Sequence, residues 1–138
     1  MTKFKSEFLL LGLTFVLLSC NSVKVLVSEK STISPGVSTA KPYYKYAIQV
    51  SSKKEIEFLE IKINNTESFK KFSVVNLATK EQGENDKKYP KGTYTLFFFT
   101  EKKSNILKDE LEITYKNNDD KIFTLQSKID TLADFQLR

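Results

Sequence analysis

Five glutamates, one cysteine and a run of three phenylalanines are the side chains of this 138-residue sequence whose types and spacing could do chemistry. Glu55, Glu57 and Glu60 fall close together, and Glu110 and Glu112 form a second set. Two carboxylates at a fixed separation could serve as acid and base on a glycosidic bond. Alternation with apolar neighbours instead places both sets on the solvent side of amphipathic strands. Asn117-Asn118-Asp119-Asp120 offers oxygen ligands of the kind calcium takes, yet it matches no EF-hand spacing, and a hairpin turn explains it fully. Histidine is absent, which excludes triads and metal sites built on imidazole. Only four glycines occur and they are scattered, so no phosphate cradle is present. The expectation is a protein that is not an enzyme, with no catalytic residue, no metal site and no cofactor.

The cysteine stands elsewhere, at the end of MTKFKSEFLLLGLTFVLLSC. Lys3 and Lys5 precede an apolar run from Phe8 to Leu18, and the small Ser19 sits directly before Cys20. As a helix the run would span roughly 16 Å, about half a bilayer core, so it reads as a secretory signal rather than a membrane span. Leu17-Leu18-Ser19-Cys20 resembles the lipobox of bacterial lipoproteins. That resemblance implies cleavage between Ser19 and Cys20, lipidation of Cys20, and a membrane as partner through the acyl chains. Two or three chains would make the anchor effectively permanent. With its thiol used and no second cysteine, the mature protein would carry no disulfide and no thiol nucleophile. Asn21 follows, without the aspartate that resembles an inner-membrane retention signal and without an acidic run. The expected address is the cell envelope, at the outer membrane facing the periplasm.

Lysine and arginine exceed aspartate and glutamate by five, but the excess is scattered in pairs near presumed turns, such as Lys53-Lys54 and Lys87-Lys88. Solvated strand ends that resist edge pairing account for it, and weak attraction to anionic lipid or glycan is the sharper alternative. Nucleic acid is not an expected partner outside the cytoplasm.

The elements that would position these groups are strands. Residues 1–19 form the signal, and residues 20–42 carry the lipidated terminus, a short strand at Val23–Val27 and a Ser/Thr/Pro-rich segment. Residues 43–138 form one domain with period-two alternation almost throughout. Tyr44, Tyr46, Ile48 and Val50 share one face. Ile56 and Phe58 share one parity while Leu59, Ile61 and Ile63 share the other, which requires a bulge near Phe58-Leu59. Further strands are expected at Phe72–Leu77, Thr93–Thr100, Glu110–Tyr115 and Ile122–Leu125.

About seven strands without helical period imply an antiparallel β-sandwich. Gly92-Thr93-Tyr94-Thr95-Leu96 resembles the tyrosine corner of immunoglobulin-like domains, in which the tyrosine hydroxyl bonds back to upstream main chain. The resemblance implies that Tyr94 makes that bond and that Leu96 stands where antibodies place a disulfide cysteine. Lacking a cysteine pair and a core tryptophan, the chain fits the looser immunoglobulin-like or fibronectin-like class. With the lipobox, it is similar to small sandwich lipoproteins of Bacteroidetes. Asp130-Thr131-Leu132 is likewise similar to an O-glycosylation acceptor motif of that group.

In Phe97-Phe98-Phe99, Phe98 shares the face of Tyr94 and Leu96 and belongs to the core. Phe97 and Phe99 point the other way. Either Val23–Val27 or Ile129–Leu137 covers them, or they form an exposed aromatic patch for an envelope protein or a glycan. The expected function is a lipid-anchored binding or assembly module, with a glycan-binding accessory as the alternative.

Overall fold

Burial alternates residue by residue along most of the chain, and the backbone follows that pattern. A computed structural model describes residues 22–36, 41–101, 109–131 and 135–136, all β with no helix among them. The strands are β1 (Val23–Ser34), β2 (Tyr43–Ser52), β3 (Ile56–Ile63), β4 (Glu67–Phe69), β5 (Ser73–Asn76), β6 (Gln82–Glu84), β7 (Lys88–Tyr89), β8 (Gly92–Glu101), β9 (Asp109–Lys116), β10 (Ile122–Thr131) and β11 (Phe135–Gln136). Seven of them run four residues or more, and these are the strands that alternation marks.

Hydrogen bonding links them in the order β4-β3-β9-β10-β1-β2-β8-β5-β6, with β7 on β3 and β11 on β1. The sheet is mixed, because β1 pairs in parallel with β10 and β11 while the other ladders are antiparallel. It also curls. Laid flat, β3 and β8 would lie five strand spacings apart, roughly 24 Å. The rings of Phe58 on β3 and Tyr94 on β8 are instead 6.1 Å apart. Both halves of the sheet therefore line one core, in which Ile48, Val50, Phe58, Ile61, Val74, Tyr94, Leu96 and Ile113 are fully buried. An aromatic row extends that core, with Tyr46 stacked on Phe98 at 4.8 Å and Phe69 packed on Phe98 at 4.5 Å.

The expected bulge is present: the β3–β9 register shifts between Phe58 and Glu60, so Phe58 and Ile61 both reach the core and Leu59 does not. Asn64 and Asn65, both with positive φ (52° and 56°), close the β3–β4 turn, a backbone that asparagine tolerates better than most residues. The first strand departs from the reading by composition. It runs on to Ser34 and pairs with β2 along its length. Ser31 and Thr32 are buried although their sequence reads as loop, because β2 on one side and β10 and β11 on the other take the backbone bonds. Lys30 is buried too, its Nζ 4.4 Å from the centre of the Tyr44 ring.

Candidate functional site

Core-side and outward residues alternate on β2 and β8, and the outward set carries the aromatic candidates. Phe98 is buried between them, as the parity of the strand requires. Phe97 is half-buried, and Phe99 is 59% exposed. Lys45 Nζ lies 5.3 Å from the Phe97 ring centre, and Tyr43 meets Phe99 edge-on at 5.6 Å and 73°. Beside them a depression of about 350 Å³ is lined by Phe69, Phe72, Lys71 and Glu84 together with Phe97 to Phe99. Among the described residues, neither Val23–Val27 nor Ile129–Thr131 pairs with this part of β8, whose ladder neighbours are β2 and β5.

The start of β8 is built as a lock. The Tyr94 hydroxyl donates to the carbonyl of Pro90, four residues upstream. Gly92 takes φ +157°, and a Cβ there would sit 3.6 Å from the Tyr94 hydroxyl oxygen. That distance is an ordinary contact, so the glycine two residues before the tyrosine serves the backbone conformation rather than the ring's space. Tyr89 packs at 5.2 Å from Tyr94 and donates to the carbonyl of Glu84. Burial raises the Tyr89 pKa above the usual tyrosine value, with the charge of Asp86 adding to it, and burial raises Tyr94 and Tyr115 likewise. Leu96 stands opposite Ile48 within the β2–β8 ladder, so it neighbours β2 in the same part of the sheet rather than facing it across the core.

The carboxylates serve the strands. Glu60 accepts from Ser68 Oγ at 2.7 Å and lies 3.8 Å from Lys62 Nζ. Glu57 stands opposite Lys88 and Lys116. Glu110 and Glu112 line a depression of about 370 Å³ with Lys62, Gln126 and Lys128, an alternation of charges on an outer sheet face. Asn117 organises the β9–β10 turn: its Oδ1 accepts from the backbone N–H of Asp119 and Lys121 at 3.0 and 2.9 Å, and Asp120 takes φ 59°. Among the described residues no group of three or more acids or thiols is arranged to hold a metal ion. Ser19 and Cys20, the expected cleavage and lipidation positions, lie outside the described residues. Thr131 is exposed at the end of β10.

Two features escape a reading by periodicity. Asn85 is buried at 3% exposure and uses its whole amide: Oδ1 accepts from Phe72 N at 3.0 Å, and Nδ2 donates to the carbonyls of Phe58 at 3.1 Å and Lys70 at 3.0 Å. The Phe58 carbonyl sits at the bulge, where the ladder is interrupted. Nothing in the sequence around Asn85, flanked by Glu84 and Asp86, distinguishes it from a loop residue. The second feature is at the start of β10, where Ile122 (62%) and Phe123 (42%) are exposed. No protein-family model matches this chain, and no curated protein matches it.

Proposed function

We propose that this chain is a lipid-anchored protein of the cell envelope, held at the membrane through Cys20 and acting as a non-enzymatic binding or assembly module. The lipobox-like ending of its apolar N-terminal run supports the anchor. The domain is read as an immunoglobulin-like sandwich. Its order β1-β2-β8-β5 follows A-B-E-D, and β10-β9-β3-β4 follows G-F-C-C′, the two sheets of that class. In that scheme β8 takes the place of strand E, so Tyr94 makes its corner bond one strand earlier than the usual position on F.

The single observation carrying the binding role is Phe99, a large apolar side chain 59% exposed beside the half-buried Phe97 at the mouth of a depression. An exposed apolar cluster rimmed by polar groups marks a contact surface. A glycan would favour a flat aromatic platform, and the 73° between Tyr43 and Phe99 does not offer one, so a protein partner is the better fit. The test is a photo-reactive side chain at position 99 in cells, with the exposed position 126 as control. The expected result is one reproducible envelope-protein adduct at 99 and none at 126. Equal labelling at both would reject the reading.

A further inference from the structure

Among the described residues, the exposed large hydrophobic side chains are Leu26, Val27, Phe99, Ile122 and Phe123. Phe99 belongs to the surface already described. The other four lie on the first halves of β1 and β10, and the reason is topological. These two strands run parallel and meet at the rungs Glu29–Asp130 and Lys30–Thr131. Toward their starts they part: among the described residues β1 keeps only β2 as neighbour there, and β10 keeps only β9. The inward-facing row of β10 records the parting. Ile129 is 8% exposed, Leu125 and Ser127 are half-buried, and Phe123 is 42% exposed although it stacks on buried Tyr115 at 5.7 Å. Ile122, the first residue of β10 after the polar turn Asn117–Lys121, is 62% exposed.

The place where the chain enters the domain lies at this same end of the sheet. Counting back from the shared rung, Ser22 lies seven residues before Glu29 and Ile122 eight before Asp130, so both reach one end of the sheet. Ser22 is fixed there, its carbonyl accepting from Lys53 N at 2.8 Å. Cys20 precedes it by two residues, a reach of at most about 7 Å. The headgroup layer of one leaflet is itself roughly 5–8 Å deep. Acyl chains rooted at Cys20 would leave no room for this end to stand clear of the bilayer.

We propose that Ile122 and Phe123 form a foot by which the domain rests in the membrane interface. The occupant of this face is the lipid surface itself. The inference rests on lipidation at Cys20. Apolar side chains presented beside a lipid anchor add interfacial burial to it and fix the orientation of the domain.

The sequence contains no tryptophan, which gives a clean probe. Ile122→Trp and, at the opposite end of the sheet, Phe99→Trp are each introduced into the lipidated full chain and reconstituted into phosphatidylethanolamine–phosphatidylglycerol vesicles with brominated acyl chains. The expected result is blue-shifted emission and strong quenching at 122, and neither at 99. Adding Phe123→Ser to Ile122→Trp should relieve much of that quenching, and it should also lower the melt because the stacking on Tyr115 is lost. Floated protein in which position 122 is unquenched, or in which 122 and 99 are quenched alike, overturns the foot and leaves the anchor standing. Emission at 122 that shifts with protein concentration in lipid-free micelles, unquenched in vesicles, overturns it in favour of pairing between two copies of this chain. A chain that does not float with vesicles defeats the anchor, and the foot falls with it.

Discussion

Replacing Asn85 by alanine removes one side chain but breaks a junction between three segments. The amide ties the loop after β6 to the bulge of β3 through Phe58 and to the approach to β5 through Lys70 and Phe72. Two of the groups it serves, the Phe72 N–H and the Phe58 carbonyl, are engaged by buried hydrogen bonds, and each costs about 1–3 kcal/mol when left without a partner. The Lys70 bond is only partly buried, and water can replace it at little loss. The expected destabilisation is therefore about 3–4 kcal/mol. For a domain of this size that lowers the melting temperature by roughly 10–15 °C. Urea titration should give the same loss with an unchanged m-value. Asn76 is the control. Its Oδ1 accepts from the exposed N–H groups of Ala78 and Thr79, so Asn76→Ala should cost less than about 1 kcal/mol. Asn85→Leu separates polarity from volume: it fills the space yet leaves both groups unpaired, and it should be as damaging as alanine. A leucine variant of native stability, or an alanine variant no worse than Asn76→Ala, would refute the reasoning.

Burial raises the pKa of Tyr89, Tyr94 and Tyr115, so between the unfolded and folded values the native state holds more protons than the unfolded one. Stability from these groups should be fully present below about pH 10 and fall as pH climbs through the raised values, and chemical melts from pH 8 to 11 should lose most of this slope in Tyr89→Phe/Tyr94→Phe. Gly92→Ala places a side chain at φ +157°, and that backbone strain should destabilise by about 1–3 kcal/mol in a thermal melt. Phe98→Ala should cost about 3–5 kcal/mol because Phe98 is stacked on Tyr46 in the core, and chemical unfolding would read it directly. Phe99→Ser, one residue on and 59% exposed, should stay within about 0.5 kcal/mol by the same measurement.

The long strands were legible because alternation and one-sided burial are the same physical fact. Tyr44, Tyr46, Ile48 and Val50 are all buried, and the parity break at Phe58-Leu59 announced the bulge. The second half of β1 was not legible. Ser31 and Thr32 have loop composition, and they lie in a strand only because backbone bonds to distant segments hold them there, which no local window reports. Long-range register also decided where Leu96 sits, since its partner Ile48 is fixed by the β2–β8 ladder and not by the motif around Tyr94. The candidate site was half legible. Strand parity separates Phe97 and Phe99 from Phe98, whereas the depression beside them depends on Phe69 and Phe72 arriving from two other segments. The exposure of Ile122 and Phe123 follows from the parting of β1 and β10, a property of the sheet and not of either strand.

The two apolar surfaces occupy opposite ends of the same sheet, and that separation constrains both proposals at once. β2 runs from Tyr43 beside Phe99 to Ser52 beside Val23, ten residues and roughly 30 Å. With Ser22 and Ile122 at the bilayer, Tyr43 and Phe99 would stand well above the headgroup layer, which is only about 5–8 Å deep. Lipid would then not be what covers Phe99, and a partner bound there would have to project at least that far from the membrane. A rigid sheet would also transmit orientation: if one end were seated by Cys20, Ile122 and Phe123, the other end would be presented in one attitude instead of tumbling on a long tether. Under both proposals the tether of two residues, the foot and the distant aromatic surface would form one device, in which the membrane contact would supply the preorganisation that lowers the entropic cost of binding at Phe99.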